Sequence, residues 1–167
     1  MSERDNTGVV LLGAGLVAAW FFLTGETSDD PQVNYIVQFW NYAKNNENAY
    51  NIPHQFTLAQ AIDESASGTS DVAIVAKNHF GIKDSDAWTG LIYKGYRAYP
   101  SVAASYNDNA AFLTNNSRYK PAFNYTDAKQ FAQAISNAGY SQDASYYNKL
   151  AGIINKVNKV AADNNLT

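Results

Sequence analysis

The chain has 167 residues, enough for one domain with an appendage, and 46% of them are hydrophobic, enough for a packed core. A net charge of −3 without a basic stripe argues against a nucleic-acid-binding protein. Cysteine is absent, which excludes disulfides and thiolate metal sites, and the two histidines are too few for a metal cluster. We therefore expect neither a metal nor an organic cofactor.

The first predicted element follows a short N-terminal tail, residues 1–7. Residues 8–24 contain no charge, and as a helix they would span roughly 25 Å, at the short end for a bilayer crossing. A secretory signal peptide needs a more basic start than Arg4 alone and a clear cleavage site, and a buried core helix would run directly into the polar linker at 25–30. We favour a transmembrane anchor. Because Arg4 precedes it and only acidic residues follow closely, the rest of the chain would lie outside.

Residues 31–167 read as one domain. Hydrophobic spacing, caps and turn residues predict a series of elements in chain order. They are helices at about 31–45, 56–65 and 71–77, a short hairpin within 82–99, and helices at about 101–113, 126–139 and 143–162. This order predicts an α+β domain that is mainly helical, of the lysozyme-like kind, with one small β-hairpin.

Glu64 is the candidate catalytic residue. It lies late in the second predicted helix, off its apolar face and one turn after Gln60, just before a turn that contains Gly68. Hydrolysis of a glycosidic bond needs a carboxylic acid that protonates the leaving oxygen, and partial burial keeps such an acid protonated near neutral pH. The apolar neighbours Ile62 and Ala66 make partial burial of Glu64 plausible.

Several motifs in order carry a family resemblance. They are Ala59-Gln60-Ala61 before Glu64-Ser65, the run Asn78-His79-Phe80-Gly81-Ile82-Lys83, Arg97-Ala98-Tyr99, Phe112-Leu113, Arg118-Tyr119 and Ala138-Gly139-Tyr140. Over about residues 53–155 the chain resembles the glucosaminidase family of peptidoglycan hydrolases, glycoside hydrolase family 73, which includes the domain of flagellar rod-cap proteins and many autolysins. The resemblance implies a glycosidase whose partner is the peptidoglycan glycan strand.

The resemblance also implies which bond is cut. The first expectation is the β-1,4 bond after N-acetylglucosamine, with Glu64 as the general acid. A muramidase or lytic transglycosylase on the same fold is the alternative enzyme, and a glycan-binding module that has lost catalysis is the alternative outside enzymes. With the anchor, the domain would face the cell wall, either in a bacterial envelope or in the virion of a membrane-containing phage.

Further site residues are expected from the same motifs. Tyr140 is the second candidate catalytic residue, with a packed tyrosine as the alternative. Six residues are expected on the substrate side: Asn78, His79, Phe80, Trp88, Tyr96 and Tyr99. Each also has a structural interpretation: turn bracing by Asn78 and His79, core packing by Phe80, and hairpin packing by the other three.

The chain departs from the family pattern in two places. Ser67 stands where an aromatic residue is common, and the hairpin has no acid between Trp88 and Pro100, where many members carry a second one. Asp84 and Asp86 are the nearby substitutes. Without a second acid, either the N-acetyl group of the substrate assists, or Glu64 acts first as acid and then as base.

Overall fold

The computed structural model describes residues 28–167, and their first half forms three helices. Helix α1 (Pro31–Tyr50) begins where the Asp30 carboxylate accepts a hydrogen bond from the Gln32 N–H at 2.9 Å, and it ends at Asn51 in the left-handed region. Helix α2 (His54–Ser65) and the short helix α3 (Asp71–Ala76) follow. Helix α1 is five residues longer than predicted, since its asparagine-rich end continues the helix up to Tyr50.

The second half begins with the hairpin. Strands β1 (Leu91–Tyr93) and β2 (Tyr96–Ala98) pair antiparallel, with Leu91 opposite Ala98. Helix α4 (Val102–Asn115), a 3₁₀-helix (Ser117–Asn124), α5 (Ala128–Asn137) and α6 (Tyr146–Asp163) complete the order. The prediction of a mainly helical domain with one small hairpin is confirmed, and the 3₁₀-helix, which contains Pro121, was not predicted.

Helix α2 lies at the centre of the fold and packs against α1, α5 and α6. Leu58 and Ala61 belong to a core shared with α1, whereas Phe56 and Ala59 belong to a second core shared with α5 and α6. Because nearly every side of α2 is buried, its position is fixed by apolar packing over its whole length. Its last turn therefore holds Glu64 in a defined place.

The predicted transmembrane anchor at 8–24, the tail at 1–7 and most of the linker at 25–30 lie outside the described residues. Within residues 28–167, no helix combines the length and the apolar character that a membrane crossing requires.

Candidate active site

Glu64 is the penultimate residue of α2, and a tight turn ends the helix directly after it. The Ser65 hydroxyl donates to the Ala61 carbonyl and accepts from the Gly68 N–H, at 2.5 and 2.8 Å. Ala66, Ser67 and Gly68 all have positive φ, at 50°, 57° and 77°. This turn reverses the chain at once, so the Glu64 side chain lies at the end of the buried helix rather than in its middle.

Gly81 approaches the Glu64 carboxyl closely. A Cβ atom placed on Gly81 would lie 3.5 Å from Glu64 Oε2, and φ at Gly81 is +61°. Glycine meets both demands, since it has no side chain and adopts positive φ without strain. None of the residues 28–167 forms a hydrogen bond with the Glu64 carboxyl, so its proton is free for a ligand.

The environment of Glu64 favours its protonated form. The pKa of Glu64 is raised to about 7, mainly by burial and then by the negative charge of Asp63, while the positive charge of Lys149 opposes both. Lys149 itself forms an ion pair with Asp143 at 2.7 Å. A carboxyl group with a pKa of about 7 can both hold and release a proton near neutral pH, as a general acid must.

A group of stacked tyrosines adjoins Glu64. The ring of Tyr140 stacks on Tyr146 with centroids 5.6 Å apart and planes 14° apart, and it also contacts Tyr119 at 5.9 Å. The pKa of Tyr140 is raised well above its usual value, mainly by burial and to a smaller extent by the nearby Tyr146 and Glu64. The structure thus brings Tyr140 within the electrostatic reach of Glu64, and its phenol stays protonated as a hydrogen-bond donor.

A buried amide network supports these tyrosines, and no sequence motif predicted this network. Gln60 is fully buried; its Nε2 donates to the Tyr146 hydroxyl at 3.2 Å, and its Oε1 accepts from Asn109 Nδ2 at 2.9 Å. These bonds join α2, α4 and α6 one helical turn before Glu64, and they include Tyr146, on which Tyr140 stacks. The one signal in the sequence was the position of Gln60 between two alanines, one turn before Glu64.

Asn78 and Phe80 are buried and brace the chain instead of facing solvent. The Asn78 amide donates to the carbonyls of Ile82 and Arg97, both at 2.9 Å, and its oxygen accepts from the N–H groups of Phe80 and Ile82. The Phe80 ring packs edge-on against Tyr106 at 4.9 Å. With 1% of each residue exposed, neither offers a surface to a glycan, and the expected direct substrate contact does not fit this place in the fold.

His79 is also buried, and its hydrogen-bond partners lie on α1 and α4. The ring nitrogen Nδ1 lies 2.6 Å from the Tyr35 hydroxyl, and the backbone N–H of His79 donates to Ser105 Oγ. Burial lowers the pKa of His79 to about 4, so the ring is neutral at physiological pH. Direct contact with a substrate at Glu64 does not fit this position either.

The aromatic residues of the hairpin differ in exposure. Trp88 and Tyr96 are partly exposed, and Arg97 lies 4.9 Å above the Trp88 ring. Tyr99 is buried, donates to Asp108 at 2.7 Å and contacts the edge of Trp88, so its ring is packed rather than free for stacking. Trp88 and Tyr96 are thus the two of the three whose rings keep exposed surface.

Asp84 and Asp86, the expected substitutes for a second acid, are exposed beside the hairpin. Asp84 Oδ1 accepts from the Ser85 N–H at 2.8 Å. The charges that act on the pKa of Glu64 come from Asp63 and Lys149 and not from these two aspartates. In the described part of the chain, histidine and acidic side chains form no cluster that could hold a metal ion.

The central helix, the hairpin and the half-buried glutamate at the helix end define a lysozyme-like domain with one candidate acid. The chain belongs to the glucosaminidase family: the family described as mannosyl-glycoprotein endo-beta-N-acetylglucosaminidase matches residues 40–159. The family resemblance read from the motifs is thereby confirmed.

Curated relatives agree with this assignment. Peptidoglycan hydrolase FlgJ of Escherichia coli (strain K12) is 30% identical over 66% of this chain and 42% of its own length. Exo-glucosaminidase LytG of Bacillus subtilis (strain 168) is 29% identical over 78% of this chain and 53% of its own length. The chain spans about half the length of these relatives.

Solved structures share the fold. The glycoside hydrolase domain of FlgJ from Salmonella typhimurium has a TM-score of 0.68 at 27% identity, covering 79% of this chain and 91% of that domain. A peptidoglycan hydrolase from Sphingomonas sp. A1 has a TM-score of 0.68 at 28% identity, covering 77% of this chain and 92% of its own.

Proposed function

We propose that this protein cleaves the glycan strand of peptidoglycan at a β-1,4 bond, with Glu64 as the general acid. The observation that carries the proposal is the place of Glu64: half-buried at the end of the central helix, with a pKa near 7 and no protein hydrogen bond among the described residues. The names of the relatives, peptidoglycan hydrolase and exo-glucosaminidase, support the substrate class.

The chemical step follows from that place. Protonated Glu64 donates its proton to the glycosidic oxygen while the bond from that oxygen to the anomeric carbon breaks. Positive charge develops on the sugar, a water molecule adds to the anomeric carbon, and a base takes up the proton that this water releases. The protonated phenol of Tyr140 is proposed to donate a hydrogen bond to the N-acetyl group or to that water. Trp88 and Tyr96 are proposed to stack against sugar rings.

The second half of the reaction needs a group that assists the attack of water on the anomeric carbon. Asp84 and Asp86 stay the candidate second acids, although in this structure neither affects the pKa of Glu64. We therefore favour assistance by the N-acetyl group of the substrate, or reuse of Glu64 as the base that activates water.

The test compares the full chain with Glu64→Gln on isolated peptidoglycan, followed by mass spectrometry of the soluble fragments before and after borohydride reduction. The rate should fall by about 10²- to 10⁴-fold, the usual contribution of a general acid. Asp63→Asn is the matched control. It removes the adjacent carboxylate and should lower the pKa of Glu64, so it should retain most of the activity at mildly acidic pH, where Glu64 stays protonated. Equal rates for the wild type and Glu64→Gln would contradict the proposal.

The fragments also identify the bond. Reducible N-acetylglucosamine ends support the glucosaminidase mode. N-acetylmuramic acid ends, or anhydro ends, support a muramidase or a lytic transglycosylase on the same fold.

A glycan-binding module without catalysis is the second candidate function, and the absence of an acid between Trp88 and Pro100 favours it. This candidate predicts that wild type and Glu64→Gln bind the cell wall equally well and that neither releases fragments.

We also propose that residues 8–24 anchor the protein in a membrane with the hydrolase domain on the cell-wall side. The support is the uncharged sequence of this segment. A chain lacking 8–24 should move from the membrane fraction to the soluble fraction, whereas a membrane-bound form that carbonate extraction releases would contradict an anchor.

A further inference from the structure

A concavity whose lining does not include Glu64 lies beside residues 78–83. It has a volume of about 450 Å³ and is formed by α1, the turn after α2, α3 and the beginning of α4. Within 78–83, Gly81 faces Glu64, whereas His79 lines this concavity, which we call the α3–α4 cavity. Its lining includes Lys77 and, among the described residues, no aspartate or glutamate.

Hydrogen bonds favour one of the two ring nitrogens of His79 as the one that carries the hydrogen. The Tyr106 hydroxyl donates to the Tyr35 hydroxyl at 3.0 Å, which leaves the Tyr35 hydrogen for His79 Nδ1 at 2.6 Å. Because the neutral ring has one donor and one acceptor nitrogen, an accepting Nδ1 requires the hydrogen on Nε2. His79 therefore holds a donor at Nε2.

That donor has no protein partner in residues 28–167. His79 is 4% exposed, yet the buried side-chain atoms without a partner are Asn46 Oδ1, Arg97 Nε and Asn109 Oδ1. Since His79 Nε2 is not one of them, this atom keeps some exposed area, and a ligand in the cavity that His79 lines could reach it. The ring edge at Cε1 would lie 3.5 Å from a Cβ on Gly68, which lines the same cavity.

The beginning of α4 adds further donors to the same cavity. Ser101, the N-cap, uses its hydroxyl to accept from the Ala104 N–H at 3.2 Å. The N–H groups of Val102, which lines the cavity, and of Ala103 beside it have no hydrogen-bond partner in the part of the chain that the structure describes, and they form the positive end of the helix dipole. Lys77 reaches this rim, where its ammonium group donates to the Pro100 carbonyl at 2.8 Å.

We propose that the α3–α4 cavity binds the carboxylate of a short peptide. The carboxylate would accept from His79 Nε2 and from the first N–H groups of α4, beside the Lys77 charge. Phe39 and Ile74 provide an apolar wall for small side chains such as those of alanine. Resting on the proposed function, we assign the peptide to the stem that peptidoglycan carries on its glycan strand.

The experiment titrates the full 167-residue chain with alanyl-alanine and, in parallel, with its C-terminal amide, while NMR follows the ring nitrogens of His79. In the free protein, the nitrogen shifts should report hydrogen on Nε2. The dipeptide should shift the His79 Nε2 resonance. The amide should bind at least about tenfold more weakly, because losing a hydrogen bond to a charged carboxylate lowers the affinity by about tenfold or more.

Two variants make the test specific. Lys77→Met should weaken dipeptide binding about tenfold. Lys83→Met is the matched control, an exposed lysine of the neighbouring segment that does not line the cavity, and should leave binding unchanged. Equal affinity for the acid and the amide, or no shift at His79, would overturn the proposal.

Failure of this proposal is distinguishable from failure of the proposed function. If Glu64-dependent cleavage persists while the dipeptide leaves His79 unaffected, the cavity proposal is wrong and the glycosidase stands. If the dipeptide binds with the expected preference and cleavage is absent, the cavity proposal stands and the glycosidase is wrong. Glu64→Gln should bind the dipeptide as the wild type does.

Discussion

At the scale of single residues, Glu64 lowers the stability of the domain above the pH at which it ionises. Its pKa is about 7 in the folded protein and 4.5 in the unfolded chain, so between these values the folded state binds more protons. Stability therefore falls as the pH rises from about 4.5 to about 7, and it stays low above that range.

Glu64→Gln should remove this loss. Each unit of pKa difference corresponds to about 1.4 kcal/mol, and because the group is partly solvated we expect the variant to be more stable than the wild type by about 2 kcal/mol at pH 8. Below pH 4 the two proteins should be equally stable. Urea unfolding at pH 8 and below pH 4 measures the difference in stability between the two proteins. The same difference at both pH values would show that Glu64 ionises with an ordinary pKa.

Lys149 should lower the upper pH limit of cleavage. Its positive charge lowers the pKa of Glu64, so Lys149→Met should raise that pKa and move the alkaline limb of the pH–rate profile to higher pH. Lys159→Met, an exposed lysine further along α6 that is paired with Asp163, is the control and should not move the limb. Since Lys149 is half-exposed, the difference should shrink in high salt.

At the scale of elements, the end of α2 contains backbone strain next to the site. Ala66 adopts a φ of 50° at the helix C-cap, where glycine is the residue without a steric penalty. Ala66→Gly should therefore stabilise the protein by about 1 kcal/mol, measured as a rise in the urea midpoint without a change in slope. Ala134→Gly, inside α5, should destabilise it by about the same amount.

The elements show how far sequence patterns reach. The helix starts at about 31, 101 and 126 were predicted because the caps that mark them are local: Asp30, Ser101 and Asp127 accept from N–H groups two or three residues away. The 3₁₀-helix was not, because Pro121 and short apolar spacing give no period of 3.6, and packing of Tyr119 and Ala122 in the core fixes it instead.

The site shows the same limit. Glu64 followed from its motif, whereas the contact of Gln60 with Tyr146 joins residues 86 positions apart, and no local pattern reports it. The motif also could not predict that the side chains of Asn78, His79 and Phe80 face the core, since the same residues could face either side of their segment.

At the scale of the whole molecule, the Gln60 network joins three helices through one side chain. Gln60→Ala would leave the Tyr146 hydroxyl and the Asn109 amide without this partner in the core, so we expect a loss of about 2–4 kcal/mol of stability. Gln130→Ala, on the exposed face of α5, should cost less than about 0.5 kcal/mol. Thermal unfolding of both variants gives the comparison.

The hairpin has a consequence for motion within the domain. It consists of two strands of three residues, with Leu91 and Ile92 exposed. Backbone bonds such as Arg97 N–H to Ile82 O and side-chain bonds such as Arg97 to Asp108 join it to the rest of the domain. A pair of strands this short opens locally at a smaller free-energy cost than buried helices do. Its amides should exchange with deuterium long before those of α2. Trp88 and Tyr96 can then swing aside to admit a bulky polymer, while Glu64 keeps its place on a helix that unfolds only with the whole domain.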